Sequence, residues 1–223
     1  MDLLYATIIY MEKLNQFTLD IEFLLISVVQ GVALAALASF SAGIIGDLKF
    51  EYWLYVLSSL VLILNFWSQA IIHAISFINW PLDLAHNFLY FLASFIEVMA
   101  FSHLDSPLKW FGFMNIFFIV ALGLYLVDLS LIRARKPKFS APKKIKLYSH
   151  ILNQEKFELK MFIPAAILFN LIAFGLILFY PEVFIAHHWH LALIGIQTLF
   201  GVYVLFDSIR SFKTRARLVT ESQ

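Results

Sequence analysis

Cysteine is absent from this chain of 223 residues, and charged residues are scarce. Without cysteine the chain has no disulfide, no thiolate metal site and no cysteine nucleophile. Charged residues make up 14% of the sequence and hydrophobic residues 61%, whereas an average soluble domain has roughly 25% charged and about 45–50% apolar residues. A soluble protein of this composition would have too little polar material to cover its surface. The bilayer is therefore its expected surrounding.

Six segments are long and apolar enough to cross a membrane as helices, which takes about 20 residues each. They cover about residues 23–45, 52–77, 81–101, 108–132, 161–180 and 189–209. Ahead of them, within residues 1–20, apolar side chains recur at helical spacing from Leu4 to Phe17. This pattern is typical of a short interfacial helix. The sequence thus predicts an all-α fold: one transmembrane domain of about six helices with an N-terminal interfacial helix.

Lysine and arginine are distributed very unevenly about these spans. With six spans, fourteen of the sixteen fall on the side that holds both termini, and only Lys49 and Lys109 fall on the other. Basic residues are enriched in cytoplasmic loops, so the sequence predicts a multi-pass integral membrane protein with both termini in the cytoplasm. Residues 133–160 are predicted to form a basic cytoplasmic loop. Its Lys143, Lys144 and Lys146 are candidates for binding anionic lipid headgroups; alternatively, the loop is solvated and only sets the topology.

The first span carries small residues at every fourth position. They are Ser27, Gly31, Ala35, Ser39 and Gly43. Small residues at this spacing let helix backbones approach closely in lipid. The seam indicates either a tight contact within one subunit or a central helix that self-associates or lines a narrow path.

Polar side chains recur on one face of span two and on one face of span three. With Gln30 of span one, the candidates for a polar pathway are Gln30, Asn65, Gln69, His73, Asp83, Asn87, Tyr90, Ser94 and Glu97. Such groups are costly against lipid tails, so the two faces are expected to turn toward each other or toward a shared cavity. Amides and hydroxyls fit interhelical hydrogen bonding, while the ionisable Asp83 and Glu97 favour a permeation path or proton relay.

The histidines form two groups that suggest a second kind of chemistry. His73 and His86 lie near one end of the bundle, and His187, His188 and His190 lie near the other. Imidazoles with carboxylates bind zinc, iron or copper, and paired histidines hold haem. Neither group matches a metal or haem signature, and the sequence has no P-loop, nucleophile elbow or dinucleotide fingerprint. No cofactor is therefore expected, and the histidines remain low-ranked metal candidates.

Part of the chain resembles a known family. The stretch Val29–Ala35, with Trp67 and His73 in span two and Asn87 in span three, is similar to the six-span family of bacterial and lysosomal potassium channels. The resemblance covers spans one to three and implies a pore lined by the first helix. The Arg-x3-Phe-Ser-Asp signature of that family is absent: Leu24 stands at its arginine and Val28, Val29 and Gln30 at the others. Potassium selectivity is therefore not implied.

Three functions follow from these patterns. The leading prediction is an ion channel or a small-solute or proton transporter, with its path along spans one to three. The alternatives are a membrane-embedded metal- or haem-binding redox enzyme that uses the histidines, and a non-conducting scaffold or signalling subunit. The expected partners are the bilayer, anionic lipids and further copies of the chain in a dimer or tetramer, and not nucleic acid.

Overall fold

The chain forms a bundle of helices in a computed structural model. The structure describes the backbone of residues 2–76, 83–134 and 142–222, and the side chains of residues 16–74, 83–134, 145–218 and 220. Within these ranges the α-helices are α1 (Asp2–Gly46), α2 (Trp53–Ser76), α3 (Leu84–Phe101), α4 (Pro107–Ala134), α5 (Pro142–Phe157), α6 (Ile163–Phe179) and α7 (His190–Ser222).

Six helical stretches within the described ranges are long and apolar enough to cross a bilayer. They comprise α1, α2, α3, α4, the continuous stretch formed by α5 and α6, and α7. The described residues contain no strand. The predicted all-α fold with six spans is confirmed, and the protein is a multi-pass integral membrane protein that lives in a lipid bilayer.

The N-terminal segment is helical, as predicted, but it is not a separate helix. Asp2–Gly46 forms a single helix of 45 residues. No glycine or proline occurs between residue 1 and Gly31, so nothing in the sequence interrupts the helical hydrogen bonds between the interfacial segment and the first span.

The prediction of a loop over residues 133–160 was wrong from Pro142 onward. Pro142–Phe157 is α5, and a π-helical turn, Glu158–Phe162, joins it to α6 without a break. Apolar residues at helical spacing explain the helix, because Leu147, Tyr148 and Ile151 are buried against Ile132 of α4 and Leu218 of α7. Side chains 143 and 144 lie outside the described residues, and Lys146 is exposed.

The helices pack in a closed ring around a central space. Going around the ring the order is α1, α2, α7, α6, α4 and α3, and α3 packs back on α1. The contact between α6 and α7 is the weakest of these, and α5 packs on both α4 and α7. We call the end of the bundle where α2 and α4 finish and α3 begins the proximal end, and the end where α1 and α3 finish the distal end.

Aromatic side chains fill the distal half of the ring. Tyr55, Phe101, Trp110, Phe111 and Met114 are completely buried in one hydrophobic cluster. The Tyr55 and Trp110 rings meet edge to face at 5.6 Å, and the Tyr55 hydroxyl contacts Nδ1 of His190 at 3.1 Å. Such dense packing closes the central space toward the distal end.

The small-residue seam of α1 faces away from its own subunit. All five positions, Ser27, Gly31, Ala35, Ser39 and Gly43, are exposed, and a Cβ atom added at Gly31 or Gly43 would meet no other part of the subunit within 4 Å. The residues that α1 buries lie on another face, which includes Ile26, Gln30, Ala33 and Leu37. A contact within one subunit was one of the two interpretations of the seam, and the structure rules it out for the described residues.

The α2–α7 contact depends on a glycine. A Cβ atom at Gly201 would lie 2.8 Å from Cγ1 of Val61, and the β-branched valine has little rotamer freedom to move away. We expect Gly201→Ala to lower the free energy of unfolding by about 1–3 kcal/mol through overpacking. Gly195→Ala on the same helix is the control, because no atom lies within 4 Å of its added Cβ. Unfolding of both variants in detergent checks this, and equal stability would contradict the close packing.

Candidate metal centre

A cavity of about 130 Å³ occupies the proximal half of the ring. Its lining is polar at the proximal end, where Glu22, His73, His86, Asp128 and Glu158 lie. Deeper in the bundle the lining is largely apolar, with Leu62, Phe66, Phe117, Ala121, Phe162, Ala166 and Phe200 among its residues. The cavity is thus amphipathic, and titratable side chains are concentrated at one end of it.

Asp128 of α4 joins two histidines at that polar end. Its Oδ1 accepts a hydrogen bond from Nδ1 of His86 at 2.7 Å, and its Oδ2 lies 3.3 Å from Nδ1 of His73. Asp128 is only 1% exposed. His86 is held in turn by the start of α3, where the Asp83 side chain accepts from the His86 backbone N–H at 2.9 Å and caps the helix.

Two further carboxylates come from the helix that was predicted as a loop. Oε2 of Glu155 lies 3.4 Å from Nε2 of His73, and Glu158 follows one helical turn later and faces the cavity. Both are buried. The π-helical turn begins at Glu158 and ends at Phe162, two residues before Pro164, which has no backbone N–H for the next regular hydrogen bond. Turns of this kind occur frequently at functional sites.

Arg215 of α7 lies next to these two carboxylates, Glu155 and Glu158. It is 3% exposed, its Nη2 donates to Oε1 of Gln154 at 3.1 Å, and Ser211 donates to the same oxygen. Nε2 of Gln154 donates in turn to Oε1 of Glu158 at 2.9 Å. The amide therefore links the cation to the carboxylate, which fixes α5 against α7 beside the cavity.

The geometry of His73, Asp128 and Glu155 fits a metal ion. One ligand atom from each residue lies within 4.8 Å of the others, and all three residues are buried. The 3.3 and 3.4 Å contacts are made by different nitrogens of His73, Nδ1 toward Asp128 and Nε2 toward Glu155, and one ion would bind only one of the two. Apart from these contacts with His73, Oδ2 of Asp128 and both carboxylate oxygens of Glu155 have no hydrogen-bond partner among the described residues.

The charges of the surrounding side chains also favour a bound cation. Three buried carboxylates, Asp128, Glu155 and Glu158, share the site with the Arg215 guanidinium. Buried charges cost several kcal/mol each unless they are compensated. A divalent cation together with Arg215 would offset these three charges, and Glu22 is a fourth buried carboxylate at the same end of the cavity. Imidazole and carboxylate ligands together suit Zn²⁺, Fe²⁺ or Mn²⁺.

Some of the residues predicted to form a polar pathway line the cavity, and others do not. Asn65, Gln69, His73, Asn87 and Tyr90 line the cavity, so the polar faces of spans two and three do share one space. Two amides of α2 also contact α7: Asn65 donates to the Gly201 carbonyl at 2.9 Å, and Gln69 donates to Ser208 at 2.8 Å.

The remaining pathway candidates lie outside the lining of the cavity. Gln30 is one of them: its Nε2 donates a hydrogen bond to the hydroxyl oxygen of Tyr90 at 3.1 Å. Ser94 and Glu97 are buried further toward the distal end, and both carboxylate oxygens of Glu97 lack a hydrogen-bond partner among the described residues.

The distal histidines are not gathered into a comparable site. His187 and His188 are exposed. His188 lies just before the start of α7 at the distal end and has a φ of 58°. His190 is buried against Tyr55. Among the residues that the structure describes, His73, Asp128 and Glu155 form the single group with metal-binding geometry.

No protein-family model matches this chain, and the comparisons with curated proteins and with solved structures also gave no match. The fold and the site alone therefore define the class: a multi-pass α-helical membrane protein with a buried histidine–carboxylate cluster at the head of an amphipathic cavity.

Proposed function

We propose that the protein is a membrane-embedded metalloenzyme whose divalent cation is held by His73, Asp128 and Glu155. The observation that carries the proposal is the convergence of one ligand atom from each of these three buried side chains within 4.8 Å, with two carboxylates whose only contacts at these oxygens are the 3.3 and 3.4 Å approaches to His73. Catalytic metal sites commonly have three protein ligands and one open position, whereas structural sites are fully ligated.

The residues around the three ligands have separate tasks in this proposal. The hydrogen bond from His86 orients Asp128, as partners of metal ligands generally do. Glu158 faces the cavity beside the ligands and is placed to accept a proton from a water molecule that attacks a substrate. A bound divalent cation would supply Lewis acidity. Hydrolysis is the reaction class that this combination supports best.

Metal content tests the proposal directly. Purified protein equilibrated with Zn²⁺, Mn²⁺ or Fe²⁺ and then desalted is expected to retain one ion per chain, measured by elemental mass spectrometry. His73→Gln is expected to lose the ion, because it removes the imidazole between the two carboxylates. His103→Gln is the control, since His103 lies at the distal end and contacts Ser102. Wild-type protein without stoichiometric metal would overturn the proposal.

Proton or cation transport is the second candidate, and one arrangement favours it. Imidazole and carboxylate alternate from His86 through Asp128 and His73 to Glu155, with contacts of 2.7 to 3.4 Å, as in a proton relay. The packed distal half speaks against a continuous path. Proteoliposomes separate the two functions: flux that persists after chelation of metal would support transport, including the pore implied by the potassium channel resemblance.

The orientation and assembly that we propose follow the sequence. The charge asymmetry supports an orientation with both termini and the metal centre at the cytoplasmic face, and there Lys146, with Lys143 and Lys144, would bind anionic lipids. The outward-facing seam of α1 supports association of subunits into a dimer or tetramer, because small residues let a second helix approach closely.

A further inference from the structure

We propose that the substrate of this site is a single-chain lipid, an acyl ester or amide, whose chain lies in the cavity with its carbonyl group at the metal centre. This inference rests on the proposed function for its chemistry. The class of substrate is inferred from three properties of the cavity: its depth, its polarity and its position in the membrane.

The depth of the cavity matches one leaflet. Its lining runs along α2 from His73 to Leu62 and along α4 from Asp128 to Phe117. Eleven residues of helix span about 16 Å, which is about half of the hydrocarbon thickness of roughly 30 Å. The buried distal core then closes the space. A chain drawn from one leaflet fits this depth, whereas a permeant ion would need a path through both.

The polar end of the cavity lies at the level of the membrane interface. Along α4, Asp128 is 21 residues from Pro107 at the distal end, a rise of about 31 Å that crosses one hydrocarbon core. Trp53 and His73 are 20 residues apart on α2, which gives about 30 Å. The cluster is therefore placed where lipid ester and amide groups lie, with the apolar space directly beneath it.

The cavity borders the weakest seam of the helix ring. Phe162 of the π-helical turn, Ala166 of α6, and Phe200 and Val204 of α7 line it on that side, and α6 and α7 pack on each other less closely than any other neighbours in the ring. Phe162 meets Phe200 and Tyr203 ring to edge at 5.8 and 6.1 Å. Aromatic side chains that separate a cavity from lipid can part without breaking hydrogen bonds. We assign the entry of the chain to this seam.

The reaction balances with water as the only co-reactant. Water adds to the acyl carbonyl carbon and gives a proton to Glu158. The bond from that carbon to the ester oxygen or amide nitrogen breaks, and the leaving group takes the proton. The products are a fatty acid and an alcohol or amine. Glu158 lines the cavity. It returns to its ionised form when the leaving group takes the proton.

A matched pair of substitutions on α6 tests the substrate class. Ala166 is buried and lines the cavity, whereas its neighbour Ala165 is exposed. We expect wild-type protein to bind palmitoyl lysophosphatidylcholine or palmitoyl monoacylglycerol saturably and more tightly than the octanoyl forms, by native mass spectrometry. Ala166→Phe should weaken palmitoyl binding about a hundredfold, because the phenyl ring displaces several methylenes. Ala165→Phe should bind as wild type does.

Binding of the octanoyl probe and a second variant distinguish a specific effect of Ala166→Phe from misfolding. Retained octanoyl binding and unchanged metal content show that Ala166→Phe is folded. Leu62→Ala, at the deep end of the cavity, should shift the preference toward chains longer than palmitoyl. Palmitoyl binding that is unaffected by Ala166→Phe, or no saturable binding in any form, would overturn the inference. Chain-length-dependent binding by a protein that retains no metal would overturn the proposed metalloenzyme and leave the lipid site standing.

Discussion

Replacing Arg215 by methionine is expected to lower the free energy of unfolding by about 3–5 kcal/mol. Arg215 is almost fully buried and donates to Gln154, next to Glu155 and Glu158. Methionine fills much of the volume of the arginine stem, so the cost comes from charge more than from packing. The substitution leaves Glu155 and Glu158 without the neighbouring guanidinium in a low-dielectric interior.

Equilibrium unfolding in detergent measures this effect. Arg210→Met is the matched control, because Arg210 lies on the same helix and is exposed; surface substitutions of this kind usually change stability by less than about 0.5 kcal/mol. Saturating Zn²⁺ should recover part of the stability of Arg215→Met, since a bound cation also compensates the carboxylates. Equal stabilities of the two variants would show that Arg215 is not coupled to the acidic cluster.

The second large effect is expected at Asp128. Asp128→Asn should weaken binding of the divalent cation by more than about a hundredfold. Loss of an outer partner of a metal ligand already costs 10–100-fold, and here a charged ligand itself is lost. The amide keeps the size of the side chain but loses the negative charge that faces His73 and His86.

Asp207→Asn is the control for this substitution. In the sequence the two acids look alike, since each lies near the end of a span a few residues before an arginine, Arg133 after Asp128 and Arg210 after Asp207. In the structure Asp128 is buried between two histidines, whereas Asp207 is only partly buried on α7. Calorimetric titration of Zn²⁺ into metal-free protein should therefore separate the two variants widely. Equal affinities would remove Asp128 from the metal centre.

The membrane fold was largely predictable from sequence, because two independent signals agree on it. Apolar segments of span length and the lysine and arginine asymmetry both indicated six spans, and the structure confirms them. Both signals report how residues partition between lipid and water. Neither reports which face of a helix meets which neighbour. Hence Asn65 and Gln69, which were predicted to share a space with span three, also contact Gly201 and Ser208 of α7.

The candidate site was only half predictable. His73 and His86 stand out in the sequence as histidines within or next to spans, but Glu155 and Glu158 were hidden in a basic segment that was predicted as a loop. A signal for them existed: Leu147, Ile151, Glu155 and Glu158 recur at helical spacing and are all buried on one face. The abundance of lysine concealed that face, because charge on one side of a helix does not prevent burial of the other.

Metal X-ray absorption of the Zn²⁺- or Mn²⁺-loaded protein tests the central claim most directly, since it records the ligands of the ion itself. The metalloenzyme proposal predicts an ordered shell of nitrogen and oxygen ligands at about 2.0–2.2 Å, with imidazole scattering that disappears in His73→Gln and persists in His103→Gln. A spectrum of hydrated ion, or imidazole scattering that survives His73→Gln, would contradict the assignment of the metal to His73, Asp128 and Glu155.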